Sequence, residues 1–296
     1  MPSSDFRITQ RTLGAQVLSN LQTSLGKLQQ IENQLSSGKV LSKPSDSPTA
    51  AVASLQYRAQ LGTAQQYQRN IDDGTSWLGM ADSTLQSAVT QLQRVRTLAV
   101  NGSDGAMGAS DRGALADEVD QLRSSLLALS NTTFQNRPLF GGNTSAKTAY
   151  DTNGNYTGDN GTVSREIATG VYVDVNVNGA ATFGSGPTGL FGTLSQLSDD
   201  LRTNPSNLGN DLNAIDGHLN TVLGKLGDVG ARERRLTTAK DNLSSDVINL
   251  QQSLSDVEDV DLPQTITQLQ TQQMAYQAAL AATSRIIQPS LVDFLK

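Results

Sequence analysis

The sequence predicts a mainly α-helical protein: an elongated antiparallel helical bundle or coiled coil built from both chain ends, with a small β-rich insert. Apolar residues recur at alternating spacings of three and four along several long segments, which is typical of helices that pack along other helices. Only 36% of the 296 residues are hydrophobic and 4% are aromatic, which suits long, narrow helical packing better than one compact core. A glycine-rich stretch in the middle instead alternates apolar and polar residues.

The first predicted helix covers roughly residues 4 to 36. Its apolar positions are five leucines, and only Glu32 interrupts their three-four spacing: Leu18, Leu21, Leu25, Leu28 and Leu35. Gly38 follows as a helix stop. Because the helix carries few charges, we expect other helices to cover it on several sides.

A second, longer helix is predicted to begin after Ser47, which caps it, with Pro48 at its first position. We expect it to end at Asn101–Gly102 in a left-handed C-terminus. Its apolar positions keep the same spacing without a break: Leu78, Ala81, Leu85, Ala88, Leu92, Val95 and Ala99. Ser110 or Asp111 then caps a shorter antiparallel helix, whose apolar positions are Leu115, Val119, Leu122, Leu126 and Leu129.

Residues 141–192 differ in composition from the helical segments and are rich in glycine, asparagine and threonine. The run from Val171 to Asn178 alternates β-branched and polar residues and is followed by Gly179. This pattern predicts a half-buried strand that enters a tight hairpin turn at Asn178–Gly179. We expect a small β-rich insert, exposed at the tip of the helical body.

The longest repeat runs from Leu208 to Val257, and only Glu233 and Lys240 interrupt it. At 1.5 Å per residue it predicts a helix of about 75 Å in a left-handed supercoil. The spacing then slips to Leu262, which Pro263 follows. We interpret this slip, together with the break at residues 38–44, as two hinges at corresponding places.

The last segment, residues 262–296, repeats the pattern of the first: Leu262, Ile266, Leu269, Gln273, Tyr276, Leu280, Thr283 and Ile287. Neither terminal helix can bury its apolar stripe alone, so we expect the two to pair. This predicts three domains: an inner terminal helical domain of residues 1–40 and 260–296, a bundle domain of 41–140 and 193–259, and the insert of 141–192.

The composition excludes several function classes. The net charge of −6 disfavours nucleic-acid binding, and no stretch approaches the ~18 apolar residues that cross a bilayer. No apolar signal segment opens the chain, so we expect no cleavable signal peptide. There is no cysteine, and the single histidine, His218, cannot make a zinc site and is expected to be solvated. We therefore predict no catalytic, cofactor-binding or metal-binding residues and no enzyme activity.

Four motifs resemble functional ones but have simpler explanations. The Gly-Ser-Gly-Pro-Thr-Gly run at 184–189 matches a dinucleotide fingerprint, but without a strand–helix alternation a glycine-rich linker is favoured. Residues 151–159 resemble half of a calcium loop whose glycine is misplaced, which favours a polar turn. Ser36–Lys39 matches a nucleophile pattern whose partner motifs are absent. The cluster Arg232, Arg234 and Arg235 is expected on an exposed face or at an assembly contact.

Three segments resemble a known family. Leu35-Ser-Ser-Gly-Lys39 with the following residues 43–51, the Pro138–Thr144 stretch, and the closing segment from Asp261 to Lys296 are similar to signatures of the flagellin superfamily. The Pro-Ser-Asp-Ser-Pro run at 44–48 resembles its hook-associated protein 3 branch in particular. Flagellin itself usually carries Ser-Ala-Lys-Asp-Asp-Ala-Ala-Gly there. The resemblance covers both ends and the helical body but not the insert, and it implies a flagellin-like fold.

The resemblance implies a structural adaptor at the flagellar hook–filament junction. Subunits would form a ring between hook-associated protein 1 and the flagellin filament, outside the cell. The flagellar type III apparatus would export the chain unfolded, and a cytosolic export chaperone would bind its C-terminal part. No nucleic acid, membrane insertion or cofactor is implied. The terminal stripes then predict an assembly interface formed by Leu18, Leu21, Leu25, Leu28, Leu35, Ile266, Leu269, Tyr276, Leu280, Ile287, Leu291 and Phe294.

Two alternatives remain at this point. The nearer is a flagellin filament subunit, which would be present along the whole filament rather than in one ring. The other, from a different class, is a cytosolic coiled-coil scaffold. An enzyme is the least favoured reading, since the glycine motif would have to bind NAD measurably.

Overall fold

The computed structural model describes residues 10–41 and 43–287, and these are mainly helical, as predicted. The helices are α1 (Gln10–Ser37), α2 (Pro48–Gly102), α3 (Ala109–Ser130), α4 (Gly179–Phe183), α5 (Leu190–Thr203), α6 (Leu208–Glu258) and α7 (Leu262–Ile287), with a 3₁₀ turn at Pro205–Asn207. The strands are β1 (Thr133–Phe134), β2 (Arg137–Pro138), β3 (Ser164–Ala168) and β4 (Val171–Asp174), which form two antiparallel pairs, β1–β2 and β3–β4.

The chain divides into two compact units. The first comprises the residues up to Gly62 together with those from Ile248 onward, and the second comprises Thr63–Val247. The second unit holds a continuous hydrophobic core. The division into three domains expected from the sequence stays a prediction.

The core of the second unit follows the repeat of α2. All seven apolar positions predicted from Leu78 to Ala99 are fully buried. In α6 the repeat positions one heptad apart are buried as well: Leu208, Ile215, Val222, Val229 and Leu236. The repeat positions between them are half-buried. A strict seven-residue repeat of this kind keeps one stripe of each helix turned toward its partners.

The start and end of α2 have different causes. Ser47 caps the start, since its Oγ accepts a hydrogen bond from the Ala50 amide (3.4 Å), as predicted. The predicted left-handed C-terminus is wrong, because Gly102 stays in the helix and lacks a positive φ. Glycine is required at position 102 because the packing there is too close for a side chain. A Cβ would collide with the buried side chain of Leu201. The cap of α3 is Gly108 rather than Ser110 or Asp111.

The insert is held to the bundle by aromatic packing. Tyr150, Phe183 and Phe191 of the insert are buried in the same core as α2, and the ring centroids of Tyr150 and Phe191 lie 5.1 Å apart. Asn131, just after α3, receives the Ala149 and Tyr150 amides on its Oδ1 (2.9 and 2.8 Å). The expectation of an insert exposed at a loop tip is therefore wrong for these side chains.

The predicted hairpin turn at Asn178–Gly179 is also wrong. The β3–β4 hairpin turns earlier, where Gly170 adopts a φ of +72°. Asn178 instead caps α4, because its Oδ1 accepts a hydrogen bond from the Ala181 amide (2.9 Å). Asparagine before glycine serves either structure, so the dipeptide alone does not distinguish them.

Candidate assembly interface

The terminal helices α1 and α7 pack against each other in antiparallel orientation within the first unit. Gln272 sets the register near the middle of the pair, since its Nε2 donates to Ser24 Oγ (2.9 Å) and to Ser24 O (3.2 Å). A β-bridge joins Lys39 to Asp259 at one end. Ser24 pairs with Gln272 and the later Lys39 pairs with the earlier Asp259, so the two helices run in opposite directions.

Each helix presents a half-buried stripe. In α1 it follows a three-four spacing through Val17, Leu21, Ser24, Leu28, Ile31 and Leu35. In α7 it passes through Leu269, Gln272, Tyr276, Ala279 and Thr283, after the buried Thr265. The mixture of leucine with serine, glutamine and alanine explains why the periodicity of these helices is weak in the sequence.

The structure divides the predicted interface residues into two groups. One group lies in the half-buried stripes: Leu21, Leu28, Leu35, Leu269 and Tyr276. The other is exposed, with Leu18 at 59%, Leu25 at 40%, Ile266 at 46% and Leu280 at 44%. The side chain of Ile287, and Leu291 and Phe294, lie outside the described residues.

Sequence reasoning missed some members of both groups. Val17 and Ile31 belong to the stripe in α1, and the signal for them was Glu32: a register through Ile31 avoids placing that charge on the stripe. Met274 on α7 is also exposed and carries no periodic signal. Apolar side chains therefore lie on both the inner and the outer side of this helix pair.

The two breaks predicted as hinges lie next to each other. Gly38 ends α1 with a φ of +69°, and its carbonyl accepts the Val260 amide (3.0 Å). In return, the Val40 amide donates to the carbonyl of Glu258 (2.7 Å). The chain leaving α1 is therefore bound by main-chain hydrogen bonds to the chain entering α7.

Glu258 organises the side chains around this bridge. Its buried carboxylate accepts both Nε (2.7 Å) and Nη2 (2.8 Å) of Arg58, Nζ of Lys39 (3.1 Å) and the hydroxyl of Ser54. Lys39 also binds Asp259 at 2.7 Å. The Arg58 guanidinium lowers the pKa of Glu258 to about 2 against the opposing effect of burial, with help from Ser54 and Lys39. We name these four side chains, Lys39, Ser54, Arg58 and Glu258, the Glu258 clamp.

The segments that resemble a calcium loop and a dinucleotide fingerprint have structural roles instead. Asp151 caps its own turn, since its Oδ1 accepts the amides of Asn153 (2.9 Å) and Asn155 (2.8 Å). Gly184 and Gly186 are left-handed residues of the loop before α5, and the described strands form only antiparallel pairs, so no dinucleotide fold is present there. Within the described ranges, no group of three or more acidic, histidine or cysteine side chains could hold a metal ion.

Two expectations about single side chains are wrong. His218 is half-buried rather than solvated, with its Nε2 at 3.1 Å from Thr193 Oγ1, and desolvation lowers its pKa. In the arginine cluster, Arg234 and Arg235 are exposed as expected, but Arg232 is half-buried, and its Nη1 donates to the carbonyl oxygens of Asp174 (3.3 Å) and Asn176 (3.0 Å). His218 and Arg232 hold parts of the second unit together.

None of the described helices combines the length and the apolar character that a bilayer span needs.

The described elements, an antiparallel pair of helices from the two chain ends and a second unit of long helices with an insert, are those of a known family of structural proteins. Residues 8–145 match the bacterial flagellin N-terminal helical region, and residues 212–295 match the bacterial flagellin C-terminal helical region. The chain therefore belongs to the bacterial flagellin family.

Within that family the chain is similar to hook-associated proteins. It is 25% identical to flagellar hook-associated protein 3 of Escherichia coli (strain K12), over 94% of this chain and 96% of that protein. It is 27% identical to a flagellin of Halalkalibacterium halodurans, over 88% of this chain and 89% of the relative. A solved structure of a putative flagellar hook-associated protein from Vibrio parahaemolyticus has the same fold, with a TM-score of 0.68 at 22% identity, covering 72% of this chain and all of the other.

Proposed function

We propose that this chain is a structural adaptor at the bacterial flagellar hook–filament junction, where copies form a ring between hook-associated protein 1 and the flagellin filament. The observation that carries the proposal is the exposed apolar side of the α1–α7 pair. The nearly full-length similarity to hook-associated protein 3 supports a position at the junction.

The exposed side chains support an assembly role on energetic grounds. Leu18, Leu25, Ile266, Met274 and Leu280 are each at least 40% exposed. A large apolar side chain gains about 1.5–3 kcal/mol when it is fully buried, so covering several of them provides a strong driving force. Large exposed apolar side chains that are grouped on one part of a protein usually mark an interaction site. Neighbouring subunits, hook-associated protein 1 and flagellin are the partners that we propose to cover it.

The same surface supports a cytosolic chaperone before assembly. The exposed residues of α7 would otherwise associate with other proteins, so we propose that a flagellar export chaperone binds this helix until the type III apparatus exports the chain. A chaperone that captures the wild-type chain and binds Leu280→Gln equally well would contradict this part of the proposal.

Cysteine labelling tests the interface directly, because the chain has no cysteine of its own. We expect a thiol in Leu25→Cys to react quickly with maleimide in the free protein and slowly in isolated flagella. The matched control is Leu21→Cys, on the inner stripe of the same helix, which should react slowly in both. Equal reactivity of Leu25→Cys in the two states would refute the proposed interface.

Position in the flagellum distinguishes the junction from the filament. The alternative of a filament subunit is supported by the similarity to the Halalkalibacterium halodurans flagellin. Immunogold labelling of intact flagella should give one narrow band where hook meets filament. A deletion strain should release flagellin into the medium instead of building filaments. Gold along the whole filament would establish the alternative.

A further inference from the structure

Two buried carboxyl groups meet at the corner between α5 and α6. Asp200 lies in the last turn of α5 and is 4% exposed, and Asp211 lies in the first turn of α6 and is 5% exposed. The short 3₁₀ turn at Pro205–Asn207 connects the two helices. Buried acidic groups normally have a cationic partner, so this pair needs an explanation.

Asp200 has the partners of a charged carboxylate. Its Oδ2 accepts Nε2 of Gln196 (2.9 Å) and Nδ2 of Asn207 (2.6 Å). Burial alone would raise its pKa, but hydrogen bonds with Gln196, Asn207, Asp211 and Asn204 together outweigh burial and lower it. Asp200 therefore carries the negative charge and ties α5 to the connecting turn.

Asp211 has the environment of a neutral acid. Its Oδ2 is buried and, among the described residues, receives no hydrogen bond from any donor. Burial, followed by the negative charge of Asp200, raises the pKa of Asp211 to about 6. When Asp211 is protonated, its hydroxyl can donate to the Asp200 carboxylate, which satisfies both groups.

The charged groups of the surrounding elements are occupied elsewhere. On α5, Arg202 binds Asp117 and Asp120 of α3 (2.7 and 2.9 Å). On α3, Arg123 donates to main-chain carbonyls at positions 153 and 191. Arg112 donates through Nη1 to the carbonyl at position 107, while its buried Nε has no hydrogen-bond partner among the described residues. His218 of α6 contacts Thr193, and Asp199, which shares a cleft with Asp211, is exposed. In the part of the chain that the structure describes, no ion pair joins a base to Asp200 or Asp211.

We propose that Asp200 and Asp211 form a proton-dependent latch, in which a proton held between the two carboxyl groups closes the α5–α6 corner. Its loss to water leaves two adjacent buried negative charges, and the corner loosens. The latch lies within the second unit and does not depend on assembly. An experiment that refutes the latch therefore leaves the proposed function unaffected, and the reverse is also true.

The direction of the pH effect follows from the two states of Asp211. Unfolding returns its pKa from about 6 to the ordinary 3.8. Its contribution to stability is therefore complete below the ordinary value and is lost as the pH rises through about 6. Between pH 5 and pH 8 this linkage shifts the unfolding equilibrium constant about tenfold toward the unfolded state.

Stability measured against pH in two variants tests the latch. The single tryptophan, Trp77, is buried in the second unit and reports its unfolding in urea by fluorescence. The amide of Asp211→Asn can donate to Asp200 at any pH, so this variant should gain stability over the wild type, and the gain should grow about tenfold from pH 5 to pH 8. The matched control, Asp199→Asn, removes the same charge from the exposed neighbour of Asp200 and should show no such growth. Parallel stability curves for wild type and Asp211→Asn would overturn the proposal.

A second measurement uses the folded protein alone. In wild-type protein, the ¹³C resonance of the Asp211 carboxyl should titrate with a midpoint near pH 6. In Asp200→Asn, the neighbouring charge is gone, and the midpoint should move down toward the ordinary value. A wild-type midpoint near pH 4 would overturn the proposal even if no variant folds.

Discussion

Replacing Glu258 with glutamine should loosen the bridge between the chain ends. The substitution keeps the shape of the side chain but removes the charge that Arg58 and Lys39 bind. The pKa of Glu258 falls from 4.5 to about 2, which corresponds to at most about 3.4 kcal/mol. Because the side chains of Arg58 and Lys39 are 59% and 43% exposed, solvent screens them, and we expect a loss of about 1–2 kcal/mol.

Amide hydrogen exchange is the assay that reads this bridge locally. The amides of Val40 and Val260 donate to the carbonyls of Glu258 and Gly38, so their exchange reports opening of the bridge. At pH 7 we expect the Glu258→Gln variant to lose about 5- to 30-fold protection at both amides. The control is Glu32→Gln, at an exposed position on α1 in the same unit.

The pH dependence gives the sign of the effect. A carboxyl whose pKa is lowered by folding stabilises the folded state above its ordinary value of 4.5, and this is lost as the pH falls toward about 2. The difference between wild type and Glu258→Gln should therefore shrink below pH 4.5. Equal protection in Glu258→Gln and Glu32→Gln at pH 7, or a difference that grows in acid, would refute the role given to the clamp.

Three further predictions follow from other parts of the molecule. Leu85→Ala opens a cavity in the fully buried stripe of α2 and should cost about 2–5 kcal/mol in urea unfolding followed by Trp77 fluorescence. Gly102→Ala should destabilise the second unit by about 1–3 kcal/mol in the same assay, since the new methyl group collides with Leu201, which is too buried to move freely. Deleting residues 270–296 should leave the Trp77 unfolding transition unchanged while filament retention is lost; a deletion strain that keeps its filaments would contradict the assembly role.

The sequence predicted the middle of the chain better than its ends. In α2 and α6 the apolar repeat is long and nearly pure. All seven predicted positions of α2 are buried, and in the first half of α6 buried and half-buried positions alternate. In α1 the stripe toward α7 includes Ser24, while Leu18 and Leu25, one heptad apart, are exposed. The spacing of the leucines alone does not tell these two registers apart, and Glu32 is the residue that favours the register through Ile31.

The features that the sequence did not predict depend on distant contacts. Glu258 lay within an acidic run at a slip in the repeat, and its importance comes from Arg58, 200 residues earlier in the chain. The insert gave only local turn signals, while its position is set by Tyr150 and Phe183 packing into the bundle. His218 and Asp211 are similarly ordinary helical positions until α5 covers them.

The contrast between α2 and the terminal helices is the strongest physical argument for assembly. The same repeat leaves all seven predicted positions of α2 fully buried, whereas Thr265 is the only buried residue among the described side chains of α1 and α7. One partner helix covers only one stripe, so a pair of this kind buries too little apolar surface to offset the entropy of ordering two long helices. Additional helices would supply the missing cover, and Leu18, Leu25, Ile266 and Leu280 are the side chains on which it would form. Each copy of the chain carries the same α1–α7 pair with the same exposed apolar side chains. A closed ring of copies can therefore cover these side chains by contacts between identical subunits.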